Sequence, residues 1–197
     1  MIRKNVATGF LLLAVAVCAT ANPPAIIASN AQSQPIISAQ GMVVAQDAIA
    51  AKVGARILAQ GGNAIDAAVA TGFALAVTLP QAGNIGGGGF MMVYLADKDK
   101  TIAIDYRETA PETAYRDLFL NADGEVDNSI ARFSHRSAGV PGTVAGMVLA
   151  LENYGTMPLK QVIQPAIELA SKGFIVDYPL TVSLQNRSER LAQNPAS

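Results

Sequence analysis

Tryptophan is absent from these 197 residues, and cysteine and histidine occur once each, as Cys18 and His135. A single cysteine cannot form an intramolecular disulfide. One histidine and one cysteine are too few ligands for a structural zinc site. Charge is also scarce: Asp, Glu, Lys and Arg make up 15% of the chain, fourteen basic against fifteen acidic, for a net charge of −1. No basic stripe or cluster is visible, which argues against a nucleic-acid partner. No G-x-S-x-G elbow surrounds a serine. A Ser-His-Asp mechanism would therefore rest on His135, and the adjacent Ser134 has no built-in geometry for a triad. His135 reads instead as a surface or loop-anchoring residue. No internal repeat and no linker divides the chain.

What the chain does have is apolar surface. Hydrophobic residues make up 51%, enough for the core of one domain and too much for disorder. The amino terminus is a separate matter. Arg3 and Lys4 precede an uncharged run from Val6 to Ala21, and Ala19-Thr20-Ala21 offers small residues to a signal peptidase. This is the pattern of a secretory signal. The run is too short for a comfortable membrane span, and no charged stop-transfer segment follows. Removing residues 1–21 takes away Arg3, Lys4 and Cys18. Fourteen basic residues become twelve against fifteen acidic, and the net charge goes from −1 to −3. Residues 22–40, rich in Pro, Ala, Ser, Gln and Asn, read as a flexible leader, with order beginning near Gly41.

Beyond the leader, Met42-Val-Val-Ala45 predicts a short strand. The spacing of Ile49, Val53 and Ile57 predicts a helix over Asp47–Gln60, stopped by Gly61-Gly62. Asn63, with Asp66 three residues on, predicts a capped helix from Ala64 to Thr78. That helix is apolar on every side and so should be buried. No charge occurs from Ala67 to Ala96, but Pro80, Gln81, Asn84 and the glycines interrupt the run before it could span a membrane. Phe90–Ala96 and Thr101–Tyr106, flanking Asp97-Lys-Asp-Lys100, predict a hairpin. The first strand alternates weakly, so coverage on both faces is expected. Residues 107–141 read as loop-rich, with a turn at Asp123-Gly124. Helices are predicted at Thr143–Asn153, capped by Thr143, at Leu159–Lys172, and at Tyr178–Leu191.

Chemistry concentrates in Pro80-Gln-Ala-Gly-Asn-Ile-Gly-Gly-Gly-Gly-Phe90 and Ile104-Asp-Tyr-Arg-Glu-Thr-Ala-Pro111. Four consecutive glycines, Gly86, Gly87, Gly88 and Gly89, are costly to order. They supply neither G-x-G-x-x-G nor a following Lys-Ser or Lys-Thr, and a strand rather than a helix opens after them. A phosphate cradle is therefore excluded, and taken alone the run fits tight packing. Arg107 is flanked by Asp105, Glu108 and Glu112, which would fit a solvated charge cluster. Its guanidinium is also the side chain that grips a carboxylate through two parallel hydrogen bonds.

These segments carry a resemblance. Gly41-Met-Val-Val-Ala45, Gly61-Gly-Asn-Ala-Ile-Asp-Ala-Ala68, the glycine loop, Ile104–Pro111, Gly139-Val-Pro-Gly-Thr-Val-Ala-Gly146 and Tyr154-Gly-Thr-Met-Pro158 are similar, in order, to the amino-terminal part of bacterial gamma-glutamyltranspeptidases. The resemblance implies an α+β fold, the αββα sandwich of N-terminal-nucleophile hydrolases, with only its N-terminal portion here. On that reading residues 41–197 are a partial large-subunit domain. The resemblance implies a precursor that cleaves itself into two subunits. The new N-terminal threonine of the small subunit attacks the gamma-glutamyl amide of glutathione, its own amine serving as base. The acyl group then passes to water or to an amino acid or peptide. It further implies that Arg107 holds the alpha-carboxylate of the gamma-glutamyl group, with Gly86–Gly89 as the supporting loop. It calls for no cofactor and no metal. Its partners are glutathione, other gamma-glutamyl compounds and the small subunit of the same precursor, with no membrane contact after signal cleavage and a periplasmic or extracellular location. The small-subunit motif of paired threonines followed by histidine is absent from this sequence, so no residue here is expected to be the nucleophile and the chain alone is expected to be inactive. Two alternatives remain open. One is a related acylase or poly-gamma-glutamate-processing enzyme, and the other a non-catalytic exported binding domain.

Overall fold

A computed structural model describes residues 35–193 and 195, so the signal pattern, Cys18 and most of the leader lie outside the described residues. A unit boundary falls between Ile37 and Ser38, and the described helices and strands all belong to the unit that starts at Ser38. The run Met42–Ala45, expected as a strand, joins no ladder. A strand needs a partner's N–H and C=O groups, and the only sheet among the described residues pairs two other segments. Val43 still packs against the core, while Val44 is exposed.

Helix α1 (Ala48–Ala59) begins where Asp47 accepts from the Ala50 N–H at 2.8 Å. The same carboxylate oxygen takes the Thr78 hydroxyl at 2.8 Å, which ties the start of α1 to the end of the next helix. The buried stripe of α1 is Ala50, Val53, Gly54 and Ile57, and Ile49 is only half-buried. Gly61 leaves the helix at φ +91°, a conformation L side chains avoid. Helix α2 (Ala64–Thr78) opens with the predicted capping box between Asn63 and Asp66. It lies centrally, packed by α1, by α4 (Thr143–Tyr154) and by α5 (Leu159–Lys172). Val69, Ala70, Phe73 and Ala74 of α2 meet Val53 and Ile57 of α1, Met147 and Leu151 of α4, and Val162 and Ala166 of α5 in one core. A fully buried aliphatic side chain such as Val162 contributes about 1.5–3 kcal/mol. Three helices cover most of α2, which explains the absence of charge in it after Asp66, although Ala64 and Ala68 stay exposed.

Strands β1 (Phe90–Leu95) and β2 (Lys100–Asp105) form the predicted antiparallel hairpin, pairing Phe90 with Asp105 and Leu95 with Lys100. The turn is a 3-10 segment, Ala96–Lys98, closed by Asp99 in the left-handed region at φ 45°. Coverage of β1 on both faces is corrected. Val93 is buried with Ile104 against Ala150, but Phe90, Met92 and Tyr94 are 62% or more exposed. The residues alternate as one-sided strands do, because nothing in the described residues covers the second face. The third carboxy-terminal helix is also corrected. It breaks at Asn186 into α6 (Tyr178–Gln185) and α7 (Ser188–Leu191). Between hairpin and α4 the chain is irregular, with a short α3 (Asn128–Phe133) and the turn at Gly124, φ +79°.

Candidate functional site

The glycine loop begins at the end of α2 and is organised by one side chain. Asn84 Oδ1 accepts from the Gly87 N–H at 2.8 Å and from the Thr143 hydroxyl at 2.8 Å. The Gly87 carbonyl in turn accepts from the N–H groups of Gly142 (2.8 Å) and Thr143 (3.0 Å). Thr143 was expected to cap α4 with its side chain. It is instead the first helical residue, and its hydroxyl is committed to Asn84. The first donors of α4 thus already hold a backbone oxygen. This is the kind of helix end that could otherwise bind an anion, and here the loop occupies it.

None of the four glycines adopts the left-handed region, so close approach is the physical issue. A methyl on Gly88 would overlap the backbone nitrogen of Glu108 and approach the Tyr106 carbonyl at 2.7 Å. One on Gly89 would lie 2.8 Å from the Tyr106 ring, and one on Gly87 would lie 2.7 Å from Asn84 Oδ1. Gly86 differs, since a methyl there meets open space. The tetrad is therefore three packing glycines and one with no steric reason inside the described residues.

The loop packs onto Tyr106–Glu108, so the glycines and Arg107 are neighbours in space. Arg107 follows the end of β2, with its N–H donating to Asp105 Oδ1 at 3.0 Å. Its side chain is exposed. Among the described residues the ion pairs are Arg116–Asp117 and Lys172–Glu168; Asp105, Glu108 and Glu112 do not pair with Arg107. A cavity beside this segment is lined by Glu108, Pro111, Tyr115, Arg136 and Gly139, and Arg107 does not line it. His135 opens an exposed 3-10 turn, His135–Ser137. The Ser134 hydroxyl donates to the Ile130 carbonyl at 2.7 Å and accepts from the Arg136 N–H at 3.2 Å, so it serves the backbone and not His135.

Sequence reasoning missed the most connected polar group. Asp66 is fully buried. Beyond the Asn63 N–H (2.8 Å) of its own capping box, it accepts from the Thr156 N–H (2.9 Å), the Thr156 hydroxyl (2.5 Å) and the Met157 N–H (3.1 Å). Asn63 adds a bond from its Nδ2 to the Tyr154 carbonyl at 2.6 Å. A methyl on Gly155 would lie 2.7 Å from Asp66 Oδ1, so the chain can wrap the carboxylate only without one. Burial pushes the Asp66 carboxyl up. The hydrogen bonds from Thr156, Asn63 and Met157 outweigh that and hold it below its ordinary 3.8. The capping-box spacing signalled the local half of this cluster. The distant half left no signal in the spacing.

The chain is similar to known proteins over most of its length. A family model described as gamma-glutamyltranspeptidase matches residues 50–197. A glutathione hydrolase proenzyme of Escherichia coli (strain K12) is 48% identical over 195 residues, covering 97% of this chain and 33% of that protein. The crystal structure of a Helicobacter pylori gamma-glutamyltranspeptidase superposes with a TM-score of 0.79 at 44% identity, covering 82% of this chain and 46% of that one. Acylase ACY 1 proenzyme of Pseudomonas sp. (strain V22) is 36% identical over 181 residues, 87% of this chain and 32% of that protein. The chain thus spans between 22% and 33% of the length of these and other curated relatives it matches. The described elements are those of part of an α+β N-terminal-nucleophile hydrolase.

Proposed function

Because this chain belongs to the gamma-glutamyltranspeptidase family, we propose that it forms part of an exported enzyme that cleaves the gamma-glutamyl amide of glutathione and passes the acyl group to water or to an amino acid or peptide. The observation that carries the reading is the 48% identity to a glutathione hydrolase proenzyme across nearly the whole chain. In this reading Arg107 binds the alpha-carboxylate of the gamma-glutamyl group. Its exposed guanidinium has no acidic partner among the described residues, and its backbone is held by its neighbours. The glycine loop supports that segment from beneath. The nucleophilic threonine belongs to the small subunit of the same precursor, in keeping with the proenzyme names of the relatives. Residues 1–21 would direct export, with 22–40 as a leader and 41–197 as part of the large subunit. No helix among the described residues is long and apolar enough to cross a membrane.

The test is Arg107→Lys in the full-length precursor, assayed on a gamma-glutamyl anilide. Losing a bidentate charge-assisted contact costs about 1.5–3 kcal/mol, or roughly 10- to 150-fold in kcat/KM. An unchanged kcat/KM removes the role of Arg107. A second reading, cleavage of a bulkier acyl amide, is favoured by the likeness to the ACY 1 acylase. It wins if a substrate panel shows turnover of acyl amides and none of glutathione.

A further inference from the structure

Arg107 can grip a carboxylate reproducibly only if its backbone is fixed, and one residue does most of the fixing. Tyr106 closes the hairpin toward the glycine loop. Its N–H donates to the Gly89 carbonyl at 3.1 Å, and its carbonyl accepts from the Gly89 N–H at 3.4 Å. The half-buried ring packs onto the small core of Val93, Ile104 and Ala150. Three glycines from two distant segments make room for it. A methyl on Gly89 would come within 2.8 Å of the ring. One on Gly142 would overlap the Tyr106 carbonyl, and one on Gly146, buried inside α4, would overlap the ring itself. On the far side, Thr109 and Val140 exchange both backbone hydrogen bonds, at 3.3 and 2.9 Å. Arg107 is thereby held from both directions, and only its side chain is free to meet a ligand.

We propose that Tyr106 is a positioning residue for Arg107, and that Gly89, Gly142 and Gly146 are the socket that seats it. The proposal rests on the assignment of Arg107 to the alpha-carboxylate. It gives Gly142 and Gly146 a role in substrate selection that acts through the backbone of Arg107. Filling the socket would turn the backbone of residue 107, and small displacements of a positioned group are costly to a charge-assisted contact.

The experiment uses the mature enzyme from the full-length precursor and two substrates, a gamma-glutamyl anilide and the 4-aminobutyryl anilide that lacks the alpha-carboxylate. Gly146→Ala is expected to lower kcat/KM for the first about tenfold, chiefly through KM, and to leave the second nearly unchanged. Tyr106→Phe, which keeps the ring, is expected to retain the preference. Tyr106→Leu supplies the same comparison without crowding the helix, and should lose preference as Gly146→Ala does. In an Arg107→Gln background Gly146→Ala should cost nothing further on the first substrate. Equal losses on both substrates, or a loss for Gly146→Ala that persists undiminished without Arg107, overturn the proposal and leave the Arg107 assignment standing. An Arg107→Gln enzyme with undiminished preference for the carboxylate removes that assignment, and the proposal with it.

Discussion

Replacing Asp66 with alanine should be among the most damaging single changes in the described residues. Four donors converge on its carboxylate: the N–H groups of Asn63, Thr156 and Met157 and the Thr156 hydroxyl. Charge-assisted bonds contribute about 1.5–3 kcal/mol each when taken singly, but they do not add. The donors are only partly buried, so water recovers some of the loss. With both discounts, loss of the whole cluster is expected to cost about 4 kcal/mol, well below the sum of the single bonds. Asp66→Asn keeps one acceptor oxygen but turns an amide against the remaining donors, so about half that loss is expected. The assay is urea denaturation followed by circular dichroism, with hydrogen exchange at the amides of Thr156 and Met157. With slopes of about 1–3 kcal/mol per molar, the alanine variant should unfold roughly 2 M earlier. Its Thr156 and Met157 amides should lose protection first. Asp97→Ala, in the exposed turn, is the control and should stay within about 0.5 kcal/mol. A loss below about 1 kcal/mol for Asp66→Ala, or unchanged protection at Thr156 and Met157, would refute the reasoning. The pH dependence gives a second arm. The folded carboxyl titrates below its ordinary 3.8, so the unfolded chain binds the proton more readily. The stability supplied by Asp66 is therefore fully present above about pH 5 and is lost as pH falls through the folded value. The gap between the native protein and Asp66→Asn should narrow in that acid range and nowhere else.

Other outcomes rest on the packing. Gly86→Ala should change stability by less than about 0.5 kcal/mol, whereas Gly88→Ala should cost about 1–3 kcal/mol by thermal denaturation. Equal losses would contradict the sorting of the tetrad into packing glycines and a free one. If Gly86→Ala folds normally yet impairs turnover in the full-length precursor, Gly86 faces the ligand. The uncovered face of β1 should drive association of this chain alone. Met92→Lys with Tyr94→Lys should raise the monomer fraction in sedimentation, and an unchanged fraction would show that this face is not the adhesive one.

Much of the fold was legible because it is written locally. Asp47, the Asn63–Asp66 box and Gly61 mark helix ends within a few residues of themselves, and α1 and α2 lie where those marks put them. Errors arose where partners decide. Met42–Ala45 has strand composition without a neighbouring strand, and β1 has a bare face that weak alternation did not reveal. Thr143 looked like a cap until Asn84, 59 residues earlier, claimed its hydroxyl. The glycine loop and Arg107 stood out by residue type, and their assignment to a ligand came from the resemblance. The structure supplies a physical reason for the blocks by joining them. The Gly61–Ala68 and Tyr154–Pro158 segments are two halves of the Asp66 cluster. The 80–90, 104–111 and 139–146 segments meet around Tyr106. Spacing along the chain could not show either convergence, because each joins residues tens of positions apart.

The Asp66 cluster also sets an order of events during synthesis. Its carboxylate and its Thr156 donors are 90 residues apart. A chain made from its amino terminus can form α1 and α2 early, since their caps are local. The pole of α2 that carries Asp66 must then stay wet, because a carboxylate buried without its donors is costly. Only when Thr156 and Met157 emerge can that end close and α5 dock. For that interval the nascent chain presents an apolar helix with one unsealed end. This is the period in which a holding chaperone would meet it still open.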